Sequence, residues 1–442
     1  MMKKAAFLSL GCKVNAYETE AMQELFRQAG YAIVPFEDES DVYVVNTCTV
    51  TQIADKKSRQ MLHRAKKKNP EAVVIAVGCY VEAEHSRLDL DDAVDILIGT
   101  RNKGKILNLL QAYSEGTYTK CPVSQEPEEA GYEELSVSSS ADGHARAYLK
   151  IQDGCNQFCS YCIIPYVRGR IRSRSEKEIL AEAQKLAENG YQEIVLTGIH
   201  ISSYGVDRSG ETELLQLIKH LDQIPGIRRI RLGSLEPRIV TETFAKELAK
   251  CEHVCPHFHL SLQSGSDHVL RQMNRHYTRE DFLEACRLLK EAFDRPGITT
   301  DLIAGFPGET EEDFEDSLRI IEEAGFLKVH VFPYSRRSGT RADRMPDQVP
   351  DAEKKRRAHL LSEEEQRVSF LYLQQFTGDS AEVLVEEEAK DDPEIVTGHT
   401  ANYIEVRMPK RLAGEPYAGK MVRAEHLIPV QGYGMPTMMT LS

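Results

Sequence analysis

The first hundred residues alternate short apolar runs with stretches of helical periodicity. Apolar residues recur every three or four positions in the helical stretches, whereas the strand-like runs are nearly continuous in apolar residues. The helical pattern predicts helices over 18–29, 54–67 and 103–110. The apolar runs predict strands over 4–10, 42–46, 72–78 and 95–98. Strands that alternate with helices favour a parallel sheet with helices on its faces.

The middle of the chain repeats a strand-then-helix pattern six times. Its strand-like runs cover 147–152, 193–197, 229–234, 257–262, 298–304 and 328–333. Six successive β/α units predict an open, partial (β/α)6 barrel of parallel strands. In such barrels, the loops at the carboxyl ends of the strands carry the active-site residues.

Beyond about residue 374 the periodicity of the apolar residues changes to two. Alternating runs at 381–386, 403–407 and 421–425 are separated by glycines and prolines, which predicts a small, OB-like antiparallel β-barrel. We therefore expect an α/β protein with three domains. The domains are an N-terminal parallel-sheet domain (1–112), the partial barrel (145–373) and the C-terminal β-barrel (374–442), and a polar, turn-rich linker (113–144) joins the first two.

The composition indicates a soluble, folded protein. The 442 residues are 41% hydrophobic and 28% charged, with a net charge of −14, which excludes wholesale disorder. No apolar run reaches the eighteen or so residues that cross a bilayer. Ten cysteines without a signal-peptide pattern favour a reducing cytoplasm and metal or catalytic use rather than disulfides. We expect a cytoplasmic monomer with no membrane partner.

Three cysteines lie within eight residues after the first predicted barrel strand. Cys155, Cys159 and Cys162 are spaced C-x3-C-x2-C, and no other cysteine lies within thirty residues on either side. Thiolates select iron–sulfur clusters, zinc or copper(I). Three ligands would leave one iron of a four-iron cluster open to a non-protein ligand. The alternatives are a zinc knuckle or buried free thiols, but zinc sites favour paired C-x2-C units closed to four ligands.

A second set of cysteines follows three predicted strands of the N-terminal region. Cys12 follows the first strand, Cys48 the second and Cys79 the third. Because the carboxyl ends of parallel strands lie along one edge of a sheet, we expect these residues to converge there. This convergence favours a second three-ligand cluster over three unrelated buried thiols.

The loop 155–162 resembles the signature of the radical S-adenosylmethionine enzymes, in which the amino acid end of the cofactor chelates the open iron. The whole chain resembles the methylthiotransferase family through Gly11-Cys12-Lys13-Val14-Asn15, Asn46-Thr47-Cys48 and Gly78-Cys79-Tyr80. The resemblance implies two [4Fe-4S] clusters. Cys155, Cys159 and Cys162 would bind the cluster that reduces S-adenosylmethionine.

By the same resemblance, Cys12, Cys48 and Cys79 would bind an auxiliary cluster that holds and delivers sulfur. A sulfur there would be methylated by one S-adenosylmethionine, then inserted into a C–H bond opened by the radical from a second. The resemblance also implies an external electron donor such as flavodoxin or ferredoxin.

The ends of the barrel strands supply candidate contacts to S-adenosylmethionine. These are Tyr161, Thr197, Gly198, Ser234, Glu236, Gln263 and Gly305. Tyr161 fits the family pattern before the last cysteine, and Glu236 is a natural acceptor for a ribose hydroxyl. Gly305 lies in a segment that resembles the family's glycine-rich stretch near the adenine, where glycine permits close backbone approach. A turn or a helix cap is the alternative for most of these positions.

Basic residues cluster at 56–68, 168–174 and 354–357 in spite of the net negative charge. We predict an RNA surface that includes Lys56, Arg168 and Arg170, together with Arg407 of the C-terminal β-barrel. That barrel resembles the TRAM domain of RNA-modifying enzymes, and such barrels often bind nucleic acid. Solvated helix faces and a purely structural C-terminal domain are the alternatives.

The methylthiotransferase family contains enzymes for isopentenyl-adenosine in tRNA, for threonylcarbamoyl-adenosine in tRNA and for an aspartate of a ribosomal protein. The first group tends to read Gly-Cys-Gln-Met-Asn and the ribosomal group Gly-Cys-Pro-Lys-Asn. This chain reads Gly-Cys-Lys-Val-Asn and most resembles the group that acts on threonylcarbamoyl-adenosine. The resemblance implies a 2-methylthio product at position 37 of the tRNA anticodon loop. The alternatives are the other two substrates, or a redox-sensing role without cleavage of S-adenosylmethionine.

Overall fold

The computed structural model describes residues 2–89, 91–119, 131–137, 145–432 and 434–440. Its elements form three groups. A parallel α/β sheet comes first, a partial barrel of parallel strands follows, and a largely antiparallel sheet ends the chain. This is the fold class that the sequence predicts. Within the described ranges, no helix combines the length and apolar character needed to cross a membrane.

Five parallel strands form the N-terminal sheet, in the order β2-β1-β3-β4-β5. They are β1 (Lys4–Ser9), β2 (Ala32–Val34), β3 (Val42–Thr47), β4 (Val73–Gly78) and β5 (Ile96–Ile98). The helices are α1 (Lys13–Gln28), α2 (Gln52–Lys68), α3 (Cys79–Ala83), α4 (His85–Asp89) and α5 (Ile106–Ser114), with a 3-10 turn over Lys103–Lys105. The edge strand β2 is not among the predicted strands, since a run of three apolar residues is too short to stand out; in the structure it is half-buried.

The barrel has six parallel strands in the order β6-β9-β10-β11-β12-β13. They are β6 (Arg146–Lys150), β9 (Glu193–Thr197), β10 (Arg229–Leu232), β11 (His257–His259), β12 (Gly297–Ala304) and β13 (Lys328–Pro333). A short antiparallel pair, β7 (Gln152–Asp153) and β8 (Arg172–Ser173), closes the loop after β6. All six predicted strands are present, and their ends differ from the predicted ones by at most three residues.

Nine helices accompany the barrel strands in the described part of the chain. They are α6 (Ile164–Val167), α7 (Glu176–Glu188), α8 (Val206–Ser209), α9 (Leu214–Leu221), α10 (Glu242–Leu248), α11 (Asp267–Gln272), α12 (Arg279–Ala292), α13 (Glu311–Ala324) and α14 (Asp351–Gln374). Short 3-10 turns span Ile201–Ser203, Pro237–Ile239 and Ala342–Arg344. One face of each strand, represented by Leu149, Leu196 and Leu232, is buried in the main core. The alternate residues face the lumen.

The C-terminal sheet has six strands in the order β17-β14-β15-β16-β19-β18. They are β14 (Ala381–Ala389), β15 (Asp392–Thr400), β16 (Glu405–Pro409), β17 (Met421–Ala424), β18 (Ile428–Val430) and β19 (Thr437–Met439), with α15 (Lys410–Ala413) after β16. All neighbours are antiparallel except β16 and β19. The sequence does not predict β15, because Pro393 and Gly398 interrupt its alternation.

The C-terminal sheet packs against the amino end of the barrel strands. The Tyr403 ring stacks between His257 and His399, with centroid separations of 4.5 and 4.6 Å. The Arg231 guanidinium lies 4.7 Å from the centre of the same ring and donates to the carbonyl of Ala401 at 2.9 Å. Tyr403 therefore belongs to the joint between the barrel and the sheet.

Much of the predicted linker, 120–130 and 138–144, lies outside the described residues. The described segment 131–137 packs against α1, where Leu135 and Val137 are buried beside Tyr17. The Tyr17 hydroxyl donates to the Leu135 carbonyl at 2.5 Å. This part of the linker therefore has fixed contacts with the N-terminal domain.

Candidate iron–sulfur sites and barrel lumen

Cys12, Cys48 and Cys79 each follow one of three adjacent strands, β1, β3 and β4. Glycine precedes two of them, and both Gly11 and Gly78 have a φ of +98°, which only glycine adopts readily. A Cβ atom on Gly11 would lie 2.7 Å from Cys48 Sγ. The glycine therefore lets the Cys48 thiol pack against the turn that carries Cys12.

The three thiols are close enough to influence one another. Burial, with a contribution from the charge of Cys12, raises the pKa of Cys79 to about 11, although Arg168 acts in the opposite direction. Burial also raises the pKa of Cys48, again with a contribution from Cys12. Because metal binding requires thiolates, it would release protons from these sites.

The second set of cysteines lies in the loop closed by β7 and β8. Gly154 enters this loop with a φ of +71°, and a Cβ atom there would lie 1.9 Å from the Arg170 carbonyl oxygen. Burial raises the pKa of Cys155 to about 11 and that of Cys162 to about 12, and the charge of Cys159 raises both. The loop thus folds back on itself and brings three thiols together.

The sulfur spacing bears on whether one zinc ion could bind to all three thiols of a set. In a tetrahedral zinc site with Zn–S bonds of about 2.3 Å, the sulfurs lie about 3.8 Å apart. Among the described residues, neither set of three sulfur atoms lies within 4.8 Å of one another. The thiols of neither set are therefore placed for one zinc ion that all three would bind, and the assignment of the two sets to iron–sulfur clusters stays a prediction.

Arg168, which the sequence analysis assigns to an RNA surface, is buried between the two cysteine sets. Its Nε donates to Cys79 Sγ at 3.3 Å, and its Nη2 donates to Asn15 Oδ1 at 2.7 Å. Nη1 donates to Glu18 at 3.0 Å and to Asp153 at 3.1 Å. With its donors bound inside the protein, Arg168 is not available to an RNA phosphate, so that prediction is wrong.

The acidic partners of Arg168 belong to a buried ion network. Lys150 Nζ lies 2.7 Å from both Glu18 and Asp153, and Lys103 Nζ lies 3.4 Å from Glu18. Burial alone would raise the pKa of Glu18, but Arg168, Lys103 and Lys150 lower it to about 2. Since Glu18 lies on α1 and Asp153 precedes the Cys155 loop, the network joins the N-terminal domain to that loop.

A second arginine, which the sequence analysis does not identify, contacts the other cysteine set. Arg275 Nη1 donates to Cys159 Sγ at 3.3 Å, and its Nε donates to the Tyr277 hydroxyl at 2.8 Å. Arg275 follows α11, and no sequence motif around it indicates a contact with the cysteine loop. The structure alone reveals this contact.

The predicted S-adenosylmethionine contacts lie at the carboxyl end of the barrel. Glu236 accepts a hydrogen bond from Gln157 of the cysteine loop at 3.0 Å and lies 3.2 Å from His200 Nε2. Burial would raise the pKa of Glu236, but His200 lowers it below its usual value. Glu236 is therefore a carboxylate beside the cysteine loop. Ser234 is exposed two residues before it.

The remaining predicted contacts differ in their surroundings. Thr197 ends β9, and a Cβ on the following Gly198 would meet Gln152 at 3.1 Å. Gln263 has a φ of +72° and Tyr161 packs beside a small apolar cluster. A Cβ on Gly305 would lie 2.4 Å from the Lys354 side chain. Packing against α14 therefore accounts for glycine at 305, and its cofactor contact stays a prediction.

The lumen of the barrel is lined with charged residues at its amino end. Glu193 Oε1 lies 2.8 Å from Arg231 Nε and 3.6 Å from Arg146 Nε. Burial would raise the pKa of Glu193, but Arg231 and Arg146 lower it to about 2. The charge of the Glu193 carboxylate is therefore compensated by two arginines of the lumen wall, Arg231 and Arg146.

Halfway along the lumen, three adjacent strands bring His259, Asp301 and His330 together, with one ligand atom of each within 4.8 Å of the others. His259 Nε2 lies 3.4 Å from Asp301, and its Nδ1 is hydrogen-bonded to Thr299 at 3.1 Å. Alternation along the predicted strands could have placed these side chains on one face, but the sequence analysis does not group them.

Lys13, the residue after Cys12, interacts electrostatically with groups that line the lumen. The charged and titratable groups with which it interacts lie on five barrel strands and are Arg146, Glu193, Arg231, His257 and His330. Solvent reaches the side chain, yet the surrounding wall partly desolvates the ammonium. This burial, together with Arg231 and Arg146, lowers the pKa of Lys13 to about 8.

The other predicted RNA contacts fall in different environments. Lys56 on α2 is exposed. Arg170 is also exposed, and its guanidinium lies 4.6 Å from the centre of the Phe158 ring. Arg407 is buried and pairs with Asp391 at 2.8 Å. The structure therefore contradicts the surface position assumed for Arg407 and leaves Lys56 and Arg170 as candidates.

Exposed apolar residues surround the mouth of the site. Val50 and Ile53 follow Cys48, Tyr166 follows Cys162, and Phe332 lies at the end of β13. The segments that follow β3 and β13 contact each other, because Arg337 donates to Thr49 at 2.5 Å and pairs with Asp55. Apolar and aromatic side chains beside cations can stack with unpaired bases.

Two family descriptions match the chain. "Radical SAM superfamily" matches residues 149–321, which include the C-x3-C-x2-C loop. "Uncharacterized protein family UPF0004" matches residues 4–99, which include Cys12, Cys48 and Cys79. Each description thus covers one of the two cysteine sets.

Curated relatives match nearly the whole chain. The threonylcarbamoyladenosine tRNA methylthiotransferase MtaB of Bacillus subtilis is 42% identical over 96% of this chain and 94% of its own. The MtaB of Aquifex aeolicus is 37% identical over 95% of this chain and 99% of its own length. The tRNA-2-methylthio-N(6)-dimethylallyladenosine synthase of Acetivibrio thermocellus is 38% identical over 89% of this chain and 82% of its own length.

Solved structures share the fold at low sequence identity. The radical S-adenosylmethionine methyltransferase TsrM from Kitasatospora setae superposes with a TM-score of 0.58 and 16% identity, covering 78% of this chain and 77% of TsrM. The cobalamin-dependent S-adenosylmethionine radical enzyme OxsB superposes with a TM-score of 0.53 and 11% identity, covering 83% of this chain and 56% of OxsB.

Proposed function

Because this chain belongs to the radical S-adenosylmethionine methylthiotransferase family, we propose that it converts N6-threonylcarbamoyladenosine at position 37 of tRNA to the 2-methylthio derivative. The observation that carries the proposal is the pair of three-cysteine sets that Arg168 joins, since it contacts both Cys79 and Asp153. Two such sets suit a reaction that needs a radical and a sulfur source in one cavity.

The cysteines would hold the cofactors. We assign Cys155, Cys159 and Cys162 to the [4Fe-4S] cluster that binds S-adenosylmethionine, and we assign to the auxiliary cluster Cys12, Cys48 and Cys79. When bound, these groups would supply the radical, the methyl group and the sulfur. Glu236, a carboxylate at the carboxyl end of the barrel, would accept a hydrogen bond from a ribose hydroxyl.

The chain's own residues then position the two sites relative to each other. The ion network around Glu18 and Arg168 excludes water from the contact between α1 and the cysteine loop, because its members are almost fully buried. Tyr403 and its neighbours close the amino end of the lumen. A substrate base would therefore enter from the open, carboxyl end.

The surroundings of that opening support an RNA substrate. Lys56 and Arg170 are exposed cations, and Tyr166 and Phe332 are exposed aromatic residues. Such a combination suits an unpaired anticodon loop, in which bases can stack on aromatic rings. The C-terminal sheet would act as a TRAM-like domain that completes the barrel, and we place the domain limits where the sequence predicts them.

Partners and location follow from the proposed chemistry. Reduction of S-adenosylmethionine requires an electron donor, for which we propose a flavodoxin or a ferredoxin. A tRNA substrate and free cysteines suit the reducing cytoplasm. We propose that a monomer carries out the reaction, since one chain supplies both cysteine sets.

The test is nucleoside mass spectrometry of tRNA from cells lacking this chain, with and without a plasmid that restores it. Loss and recovery of 2-methylthio-threonylcarbamoyl-adenosine would support the proposal. The matched control is a plasmid that encodes Cys155→Ser, which should not restore the nucleoside.

A second candidate function is methylthiolation of isopentenyl-adenosine. It is favoured by the 38% identity to the dimethylallyladenosine synthase, which is close to that of the Aquifex aeolicus MtaB. The same mass spectra decide between them, because 2-methylthio-isopentenyl-adenosine would then be the nucleoside lost and recovered. If both stay unchanged, a ribosomal-protein substrate becomes the next candidate.

A further inference from the structure

A group of three side chains in the lumen has the composition of a metal site. His259, Asp301 and His330 each offer one ligand atom, and these atoms lie within 4.8 Å of one another. Two imidazoles and one carboxylate are the ligands that divalent ions such as zinc and iron(II) bind in proteins. The proposed reaction assigns no role to this group.

The register of three adjacent strands places the three side chains on one face of the sheet. Between β11 and β12, His259 pairs with Thr299. Two residues further along β12, Asp301 pairs with His330 of β13. Their neighbours along the strands are buried in the main hydrophobic core and are Phe258, Leu302 and Val329. Because successive side chains of a strand point to opposite faces, the three ligands face the lumen, where they are only half-buried and an ion can reach them.

The distance between two of the ligands suits a tetrahedral ion. His259 Nε2 lies 3.4 Å from the Asp301 carboxylate. Two ligands of a tetrahedral zinc ion with bonds of about 2.0–2.1 Å lie about 3.4 Å apart. An ordinary N–H···O hydrogen bond is shorter, at about 2.9 Å. The pair is therefore spaced as two ligands of one ion.

His259 also has the outer contact that a metal-binding histidine requires. Its Nδ1 is hydrogen-bonded to the Thr299 hydroxyl at 3.1 Å, and the same hydroxyl lies 3.3 Å from His257 Nε2. A histidine that binds a metal through one ring nitrogen almost always donates from the other to an oxygen or a water. Thr299 thus holds the His259 ring with Nε2 towards Asp301.

We propose that His259, Asp301 and His330 bind a divalent transition-metal ion, such as Zn²⁺, in the barrel lumen. Three protein ligands leave a four-coordinate ion one position for water or for an oxygen atom of a molecule in the lumen. None of the ligands is a cysteine, so this site is separate from both cysteine sets. Thr299 is a positioning residue, and no covalent step is assigned to the ion.

The test measures zinc uptake by the iron-loaded protein in anaerobic equilibrium dialysis. Wild type should bind about one zinc ion per chain without loss of iron. X-ray absorption at the zinc edge should then show nitrogen and oxygen ligands at about 2.0–2.1 Å, whereas binding to a cysteine set would give sulfur at about 2.3 Å. No uptake of zinc, or sulfur ligands around it, would overturn the proposal.

Substitutions identify the ligands. His330→Ala and Asp301→Asn should each abolish the zinc uptake. The matched control is His359→Ala, because His359 is exposed on α14, and this variant should take up as much zinc as wild type. Uptake that persists in both lumen variants would assign the zinc to another site and overturn the proposal.

Thr299→Val tests the outer contact at nearly constant side-chain size. It should weaken zinc binding about ten- to a hundredfold, the effect expected for loss of an outer-shell partner. Affinity equal to that of wild type would overturn the positioning role of Thr299. The zinc-edge spectrum of wild type needs no substitution, so it decides even where a variant does not fold. Since the test uses no RNA, its result is independent of the proposed function.

Discussion

At the scale of single residues, arginine connects the protein to both cysteine sets. Arg168 Nε lies 3.3 Å from Cys79 Sγ, and Arg275 Nη1 lies 3.3 Å from Cys159 Sγ. A guanidinium is charged at every relevant pH and stabilises a nearby thiolate relative to a thiol. At Cys79 the Arg168 guanidinium opposes the effect of burial on the pKa and so favours the charge state that a metal-bound sulfur requires.

Removing the Arg168 charge should destabilise the protein. Arg168→Gln leaves Glu18 and Asp153 buried with less compensation, and breaking such a network costs about 3–5 kcal/mol. Denaturant unfolding would measure the loss. The free energy of unfolding of Arg168→Lys should lie between those of wild type and Arg168→Gln, because an ammonium keeps the charge but cannot form the paired hydrogen bonds of a guanidinium. The control is the exposed Arg170→Gln, and equal stability of Arg168→Gln and Arg170→Gln would contradict the expectation.

Iron content should depend on cysteine position rather than cysteine number. Cys48→Ser removes one ligand of the auxiliary set, so the purified protein should retain roughly half of its iron, that of the other cluster. Cys286→Ser is the matched control, since Cys286 is buried in α12. Iron analysis with electron paramagnetic resonance would measure both. Full iron in Cys48→Ser would refute the assignment of Cys48.

At the scale of elements, the contact between barrel and C-terminal sheet depends on a stack of rings and cations. Tyr403 lies between His257 and His399, and both Arg231 and Arg146 lie over its ring. These interactions come from four strands, β6, β10, β11 and β15, and from the turn that carries Tyr403. The stack therefore fixes the C-terminal sheet on the barrel.

Replacing Tyr403 should loosen this joint. Tyr403→Ala removes an aromatic side chain that is half-buried, which costs about 2 kcal/mol in free energy of unfolding. Limited proteolysis should then cut the 374–380 segment faster than in wild type. Tyr403→Phe keeps the ring and should behave like wild type. If the two variants are cleaved equally fast, the stack is not what holds the joint.

Elements with a strong local pattern were predictable, and those that depend on distant partners were not. The six barrel strands and the strand-end positions of Cys12, Cys48 and Cys79 follow from apolar runs in the sequence. The run of arginines at 168–174 looks like a solvated surface, because burial of Arg168 requires Glu18 from another domain. In the same way, nothing local to Arg407 reveals its pairing with Asp391.

At the scale of the whole molecule, the net charge of −14 opposes binding to a polyanion. Affinity for the proposed tRNA substrate would therefore have to come from local cations near the mouth of the site. Arg168, Arg172 and Arg174 do not contribute, because all three are buried. The exposed start of α2 and Arg170 remain, and they adjoin the loops of both cysteine sets.

Reversing one of these charges should weaken tRNA binding in a salt-dependent way. Lys56→Glu removes a candidate phosphate contact, so the slope of log affinity against log salt should fall by about one. Lys185→Glu is the control, because Lys185 is exposed in the last turn of α7, at the amino end of the barrel. Both variants change the net charge by the same amount. A difference between them therefore reports position, whereas equal loss of affinity would mean that tRNA responds only to overall charge and does not dock at the mouth.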